Sequence, residues 1–211
     1  MQIYEALYSR YGDAGWWPAK TEYGVMVSSI LTQNTLWSNV ERVMSTTDVF
    51  DLPELLLALA VTELTEIIKP TGSYGRKATC IISLTEWFKQ YRFCVREIKQ
   101  QSIETIRQQL LQIPGIGKET ADAILLYAFG FTTFVIDSYT LRLLSRYPYG
   151  NINSYDQAKI LFETELDSDL NLYRNYHALV VINGKQHCRK NPHCSECPLS
   201  TLCMKKGLQI F

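Results

Sequence analysis

Leu111-Gln112-Ile113-Pro114-Gly115-Ile116-Gly117-Lys118 is the stretch on which the fold reading turns. Apolar residues on either side recur at helical spacing; Ala121, Ile124, Leu125 and Ala128 stand at i, i+3, i+4 and i+7. Pro114 ends the first helix, because its ring removes an N–H and crowds the preceding turn. Gly115 and Gly117 permit a tight turn and a close approach of bare backbone to a partner. The stretch reads as a hairpin of two helices. Its glycine N–H groups and the start of the second helix make an anion site. An ordinary helix–helix turn would use the same residues. Further on stands Phe134-Val135-Ile136-Asp137-Ser138-Tyr139-Thr140-Leu141-Arg142. Asp137 precedes a helical pattern, where a carboxylate caps the first turn. The alternative use of the same position is to project a carboxylate at a helix start, where it could face a substrate.

Working outward, helical periodicity dominates. Tyr23, Val27, Ile30 and Leu31 mark one apolar face. Asp51-Leu52-Pro53-Glu54 predicts a helix start of capping-box type, and Ser154-Tyr155-Asp156-Gln157 a second. No set of alternating strands is present; Phe134-Val135-Ile136 is too short to separate strand from helix. The expected class is all-α. The chain has 211 residues, 46% hydrophobic and 20% charged, enough to bury a core and too apolar for disorder. No apolar run reaches the ~18–20 residues that span a bilayer. The first residues lack the basic and apolar regions of a secretory signal, so a cytoplasmic location is expected.

Lys+Arg and Asp+Glu number 21 each, which excludes a uniformly basic nucleic-acid binder. The balance hides an asymmetry. Residues 172–211 hold Arg174, Lys185, Arg189, Lys190, Lys205 and Lys206 against Glu196 alone, a surplus of five positive charges. The rest of the chain carries the opposite surplus. Cys188, Cys194, Cys197 and Cys203, spaced C-x5-C-x2-C-x5-C, lie in the basic stretch. Thiols this dense in a cytosolic chain point to metal ligands rather than disulfides. Ligands taken from one short run favour an iron–sulfur cluster over zinc, which usually takes two tight pairs. Cys80 and Cys94 read as buried small hydrophobes.

The hairpin, Asp137 and the cysteine cluster, in this order, resemble the endonuclease III superfamily of helix-hairpin-helix DNA glycosylases. Tyr23 to Gln33 resembles the helix before that family's DNA-wedging glutamine. Thr71-Gly72-Ser73-Tyr74-Gly75-Arg76-Lys77-Ala78 resembles its G-x-Y-x-x-K-A loop, and His177 to Cys188 the helix entering its cluster. The resemblance implies two helical lobes with DNA bound across the cleft between them. Residues 22–131 would form a six-helix barrel lobe with the hairpin; residues 1–21 and 132–211 would form the cluster lobe. It implies a 4Fe-4S cluster on Cys188, Cys194, Cys197 and Cys203, although the first gap is one residue shorter than the family's usual spacing. It implies Asp137 as the catalytic carboxylate and DNA contacts by Gln33, Asn34, Ser73, Gly115, Gly117, Lys118, Thr120 and Lys185. The expected partner is double-stranded DNA with a damaged base, met by a monomer at the nucleoid, without a membrane.

Departures from the family pattern narrow the chemistry. Bifunctional members carry a lysine at the second position after the hairpin's last glycine, whose amine forms a Schiff base with the sugar. Glu119 stands there, and Lys118 is turned ~100° away on the helix. A carboxylate forms no Schiff base, so the resemblance implies a monofunctional enzyme that leaves an abasic site. Adenine glycosylases of the family need a glutamate in the helix before the wedge; Ser28 occupies that place. Trp16-Trp17-Pro18, Leu31-Thr32-Gln33-Asn34-Thr35-Leu36-Trp37 and Gly115-Ile116-Gly117-Lys118-Glu119-Thr120-Ala121-Asp122 are similar to segments of the 3-methyladenine glycosylase subfamily. The known members compared lack the cysteine cluster. Trp16, Trp17, Pro18, Trp37, Glu119 and Tyr139 are the expected base pocket. Indoles flanking a cationic alkylated purine would gain ~0.5–2 kcal/mol of cation–π attraction that a neutral base does not. One of Trp16 and Trp17 reads equally as a core aromatic. Gln33 would fill the space left by the flipped base, and His177 reads as a structural histidine.

Overall fold

The computed structural model describes residues 1–14, 17–147, 152 and 154–207. Among these residues the chain is helical throughout and contains no strand. It divides into two compact units, one formed by Trp17–Phe131 and the other by Met1–Trp16 with Thr132–Phe211. No helix among the described residues is long and apolar enough to cross a membrane.

The Trp17–Phe131 unit is built around α2 (Glu22–Leu31), whose residues from Tyr23 to Leu31 are all buried. Thr21 caps its start by accepting from the Gly24 N–H at 2.9 Å. Around it lie α3 (Trp37–Met44), α4 (Pro53–Ala58), α5 (Val61–Ile68), α6 (Tyr74–Lys89) and the short α7 (Val95–Ile98). The hairpin follows as α8 (Ile103–Gln112) and α9 (Lys118–Ala123). The apolar pattern beyond Ala123 does not continue as an α-helix. Ile124–Ala128 forms a π-turn, closed by the Phe129 N–H on the Ile124 carbonyl at 3.1 Å. The expected capping box at Asp51 is corrected. Leu52 occupies the cap of α4, Pro53 starts the helix with its fixed φ, and Asp51 accepts from Thr21 Oγ1 at 3.0 Å.

The other unit holds α1 (Gln2–Tyr11), α10 (Ser138–Arg146), α11 (Tyr155–Glu165) and α12 (Leu170–Gln186). Both α1 and α10 pack on α12, which buries Tyr173, the run from Tyr176 to Val181, Asn183 and Gly184. Ser154 and Asp169 cap α11 and α12 by accepting from Gln157 and Leu172 N–H groups at 3.2 and 2.6 Å. Phe134-Val135-Ile136 is neither strand nor helix but a buried segment. Phe134 stacks on Phe162 at 4.1 Å and meets Tyr173 and Tyr176 edge to face. Glu163 accepts from the Phe134 N–H at 2.8 Å, and Lys159 donates to the Phe134 carbonyl at 3.1 Å. The chain is thus pinned three residues before Asp137.

Candidate active site

The hairpin turn is set by close approach as much as by conformation. Gly115 has φ +99°, and a Cβ there would lie 3.0 Å from Cys80 Sγ and 3.1 Å from its Cβ. Any side chain would meet both left-handed strain and the buried thiol. Burial pushes that thiol up to about 11. Cys94, read with Cys80 as buried, is only partly so. Gly117 has an ordinary φ of −94° and caps α9 with no side-chain bond. The two helices are braced by Arg107 of α8, which grips the fully buried Asp122 of α9 through Nε (2.6 Å) and Nη2 (3.1 Å). Lys118 and Glu119 are exposed at the first turn of α9.

Gln33, beyond the end of α2, is tied to this hairpin. Its amide Nε2 donates to the Gly115 carbonyl at 3.0 Å and to Thr120 Oγ1 at 2.9 Å. Thr120 is itself buried, so its hydroxyl serves Gln33 rather than standing on the surface. Asn34 and Ser73 are exposed and both left-handed, at φ 51° and 47°. Lys77 joins the two turns. Its ammonium is buried and donates to the carbonyls of Leu31 and Thr71, each at 2.8 Å. Burial lowers it to about 8. This tie between the end of α2 and the Ser73 loop was not read from the sequence, where Lys77 stood only as part of a loop motif.

Aromatic rings gather near the start of the same unit. Trp17 Nε1 donates to Ser28 Oγ at 2.8 Å. The Trp17 and Trp37 rings lie 5.6 Å apart at 89°, and Trp17 lies 5.0 Å from Tyr127. A ring sandwiched between two indoles needs them parallel and a full ring apart. This pair meets edge to face and closes that gap. The sequence reading missed Tyr127, which the π-turn carries to Trp17. Trp37 Nε1 donates to Glu41 Oε1 at 2.9 Å. Pro18 is exposed, and Trp16 lies outside the described residues.

In the other unit Asp137 is 7% exposed and caps α10. Oδ1 accepts from the Thr140 N–H at 2.7 Å and from Thr140 Oγ1 at 2.8 Å. Oδ2 lies 3.6 Å from His177 Nε2, beyond a well-formed hydrogen bond and within ion-pair range. Burial by itself would raise the carboxyl. His177 and the two Thr140 bonds outweigh it and hold Asp137 below the ordinary carboxylate value. Tyr139 packs against the bare α-carbon of Gly184, where a Cβ would come within 2.3 Å of its ring. Arg142 lies over that ring, 4.9 Å from the centroid.

Cys188, Cys194, Cys197 and Cys203 line one pocket together with Arg146, Asn183 and His187. Arg146, itself buried, donates from Nη1 to Cys188 Sγ at 3.1 Å, and the Lys205 N–H donates to Cys203 Sγ at 3.3 Å. Burial pushes the Cys197 thiol up, and the neighbouring Cys188 and Cys194 add to it. Donors aimed at sulfur and mutual repulsion between thiolates suit a cationic core placed among them. Among the described residues no three His, Cys, Asp or Glu side chains converge as a single-ion site. Lys185 is exposed on the last turn of α12, where its carbonyl accepts from Arg189 Nε at 2.6 Å.

Comparison with known proteins puts these features in context. Residues 27–167 match the model of the HhH-GPD superfamily of base excision DNA repair proteins. The chain is 43% identical to a Methanocaldococcus jannaschii protein named as a candidate DNA repair glycosylase, over 97% of this chain and 96% of that one. It is 30% identical to endonuclease III of Bacillus subtilis, over 74% of this chain and 71% of that one. A crystal structure of the H. pylori 3-methyladenine DNA glycosylase bound to 1,N6-ethenoadenine shares 26% identity at a TM-score of 0.72, covering 88% of this chain and 96% of that one.

Proposed function

Because the chain belongs to the HhH-GPD superfamily of base excision DNA repair proteins, we propose that this DNA glycosylase removes alkylated purines of the 3-methyladenine kind by hydrolysis alone and leaves an abasic site. The observation that carries the reading is Glu119, an exposed carboxylate at the hairpin position from which an amine would attack the sugar. Without that amine, water must take the sugar carbon. Likeness to a 3-methyladenine glycosylase supports the substrate class.

The chemistry needs little from the protein beyond positioning and charge. The damaged nucleotide leaves the helix stack at a cost of a few kcal/mol. Its cationic ring stacks on a half-buried indole, Trp17 or Trp37, rather than between the two. Asp137 keeps Oδ1 for its own helix and presents Oδ2 to the positive charge that develops on the sugar. A carboxylate placed there lowers the barrier electrostatically and orients water without forming a bond. Exposed Lys118, Asn34, Ser73 and Lys185, with the backbone of Gly115 and Gly117, are the proposed phosphate and strand contacts. Gln33 would enter the DNA only by giving up its two bonds to the hairpin.

Cys188, Cys194, Cys197 and Cys203 would hold a 4Fe-4S cluster. Four corners of a cubane need ligands that surround a cavity, unlike a single ion. The cluster would supply no bond-making step and would hold the loop that displays Arg189, Lys190, Lys205 and Lys206. Iron analysis and a visible band near ~400 nm test it, and zinc in a colourless protein would sink it.

Mass spectrometry of bases released from methylated duplex DNA tests the substrate. Release of 3-methyladenine, lost in Asp137→Asn, is the expected result. A second reading rests on the likeness to endonuclease III: excision of oxidised pyrimidines or mismatched bases with strand cleavage. Release of such bases, or efficient borohydride trapping on an abasic duplex, would select it.

A further inference from the structure

We propose that His177 is a positioning residue for the reaction: from α12 it faces Oδ2 of Asp137 and sets the plane in which the carboxylate meets the substrate. The inference rests on the catalytic reading of Asp137 given above and adds the group through which the fold controls it.

The two oxygens of Asp137 are held differently. Oδ1 takes both bonds from its own helix, at 2.7 and 2.8 Å from Thr140. Those bonds fix one oxygen but leave rotation about the Cβ–Cγ bond restrained from one side only. His177 Nε2 stands 3.6 Å from Oδ2, on a different helix. Both side chains are buried, at 8% and 5% exposure, so little water intervenes to relax the carboxylate. A carboxylate gripped at one oxygen by a helix start and faced at the other by an imidazole has its plane set by two elements. The neighbours of the pair hold the frame still. Tyr176, adjacent to His177, and Tyr173 pack edge to face on Phe134, which stands three residues before Asp137. Gly184, two turns further along α12, admits the ring of Tyr139, two residues after Asp137. The helix that carries His177 is therefore locked to the chain on both sides of the carboxylate. Such burial and packing would serve a purely structural histidine as well; its ring nitrogen would then be replaceable by any group of equal size.

Two variants of similar volume separate these roles. His177→Met fills the space with no N–H; His177→Gln keeps an N–H donor. Each is measured for single-turnover base release, for affinity to the lesion duplex and for melting temperature. Removing a charge-assisted interaction while the fold stays intact should make His177→Met slower in base release by about 10–100-fold. Affinity should stay close to the parent; melting should fall in His177→Met, which leaves the Asp137 carboxylate buried without its partner, but stay above the assay temperature, and His177→Gln should recover most of the rate. Equal rates in parent and both variants would overturn the proposal, as would equal losses in both, or a loss that follows affinity or reflects unfolding at the assay temperature. Asp137→Asn measured alongside distinguishes the two levels. If that variant retained the parent rate, the catalytic reading of Asp137 would fail and this inference with it. If it lost activity while His177→Met did not, only the role of His177 would fall.

Discussion

Two helices begin at decisive positions, and they begin by opposite means. α9 starts on Gly117 with no side-chain cap, in a turn whose shape depends on the bare α-carbon of Gly115 above Cys80. α10 starts on Asp137, whose carboxylate spends one oxygen on its own helix and is buried with an imidazole at the other. The first start suits an anion, because its backbone N–H groups are taken up by no capping side chain and the helix dipole adds to them. The second holds a negative charge where solvent would normally be needed to stabilise it. The contrast shows how one repeated element, a helix N-terminus, is turned to opposite electrostatic ends by a single side chain.

The sharpest way to break the contrast is to remove the charge and keep the cap. Asparagine retains an acceptor for the Thr140 N–H, so Asp137→Asn should leave the fold intact. Single-turnover base release should fall by about 10²–10³-fold, the scale of removing one preorganised electrostatic interaction. On the hairpin side, Arg107→Met leaves the Asp122 carboxylate buried without its bidentate partner. Chemical denaturation should show a loss of about 3–5 kcal/mol. The two hairpin glycines should then separate. Gly115→Ala meets positive φ and a thiol 3.0 Å away, and should cost about 1–3 kcal/mol by the same measurement. A Cβ at Gly117 meets nothing within 4 Å, so Gly117→Ala should cost under about 1 kcal/mol. Equal costs at the two would refute the close-approach account of the turn.

The smallest effect lies in acid. The folded pKa of Asp137 is held below its unfolded value, so its contribution to stability is complete above ~3.9, the ordinary aspartate value. That contribution is lost as pH falls through the lower folded value. Acid unfolding of Asp137→Asn should therefore be less steep below pH ~4 than that of the parent. An identical acid limb in the two proteins would contradict the assignment.

Much of this was legible in the chain because the residues concerned act locally. Proline and glycine punctuate a hairpin wherever they fall, a carboxylate before a helical pattern caps it, and four close cysteines share one pocket. What stayed hidden depends on contacts distant in sequence. Gln33 bonds to a carbonyl 82 positions away and Lys77 to one 46 positions away, and no periodicity records either. The closeness of His177 to Asp137 is equally unrecorded in the sequence, because the two stand on different helices. Asp51 misled for the same reason: its carboxylate is taken by Thr21. Tyr127 escaped because the apolar pattern of α9 was extended as a plain α-helix through a turn that is wider.

That wider turn has a consequence for chain length. Ile124–Ala128 carries about one residue more than an α-helical turn would hold. Loss of a single residue from an α-helix rotates everything beyond it by ~100°. Here the same deletion has a second solution, in which the turn tightens into ordinary helix and the rotation is absorbed on the spot. The segment is a built-in slack of one residue, and Tyr127 against Trp17 is what taking it up would sacrifice.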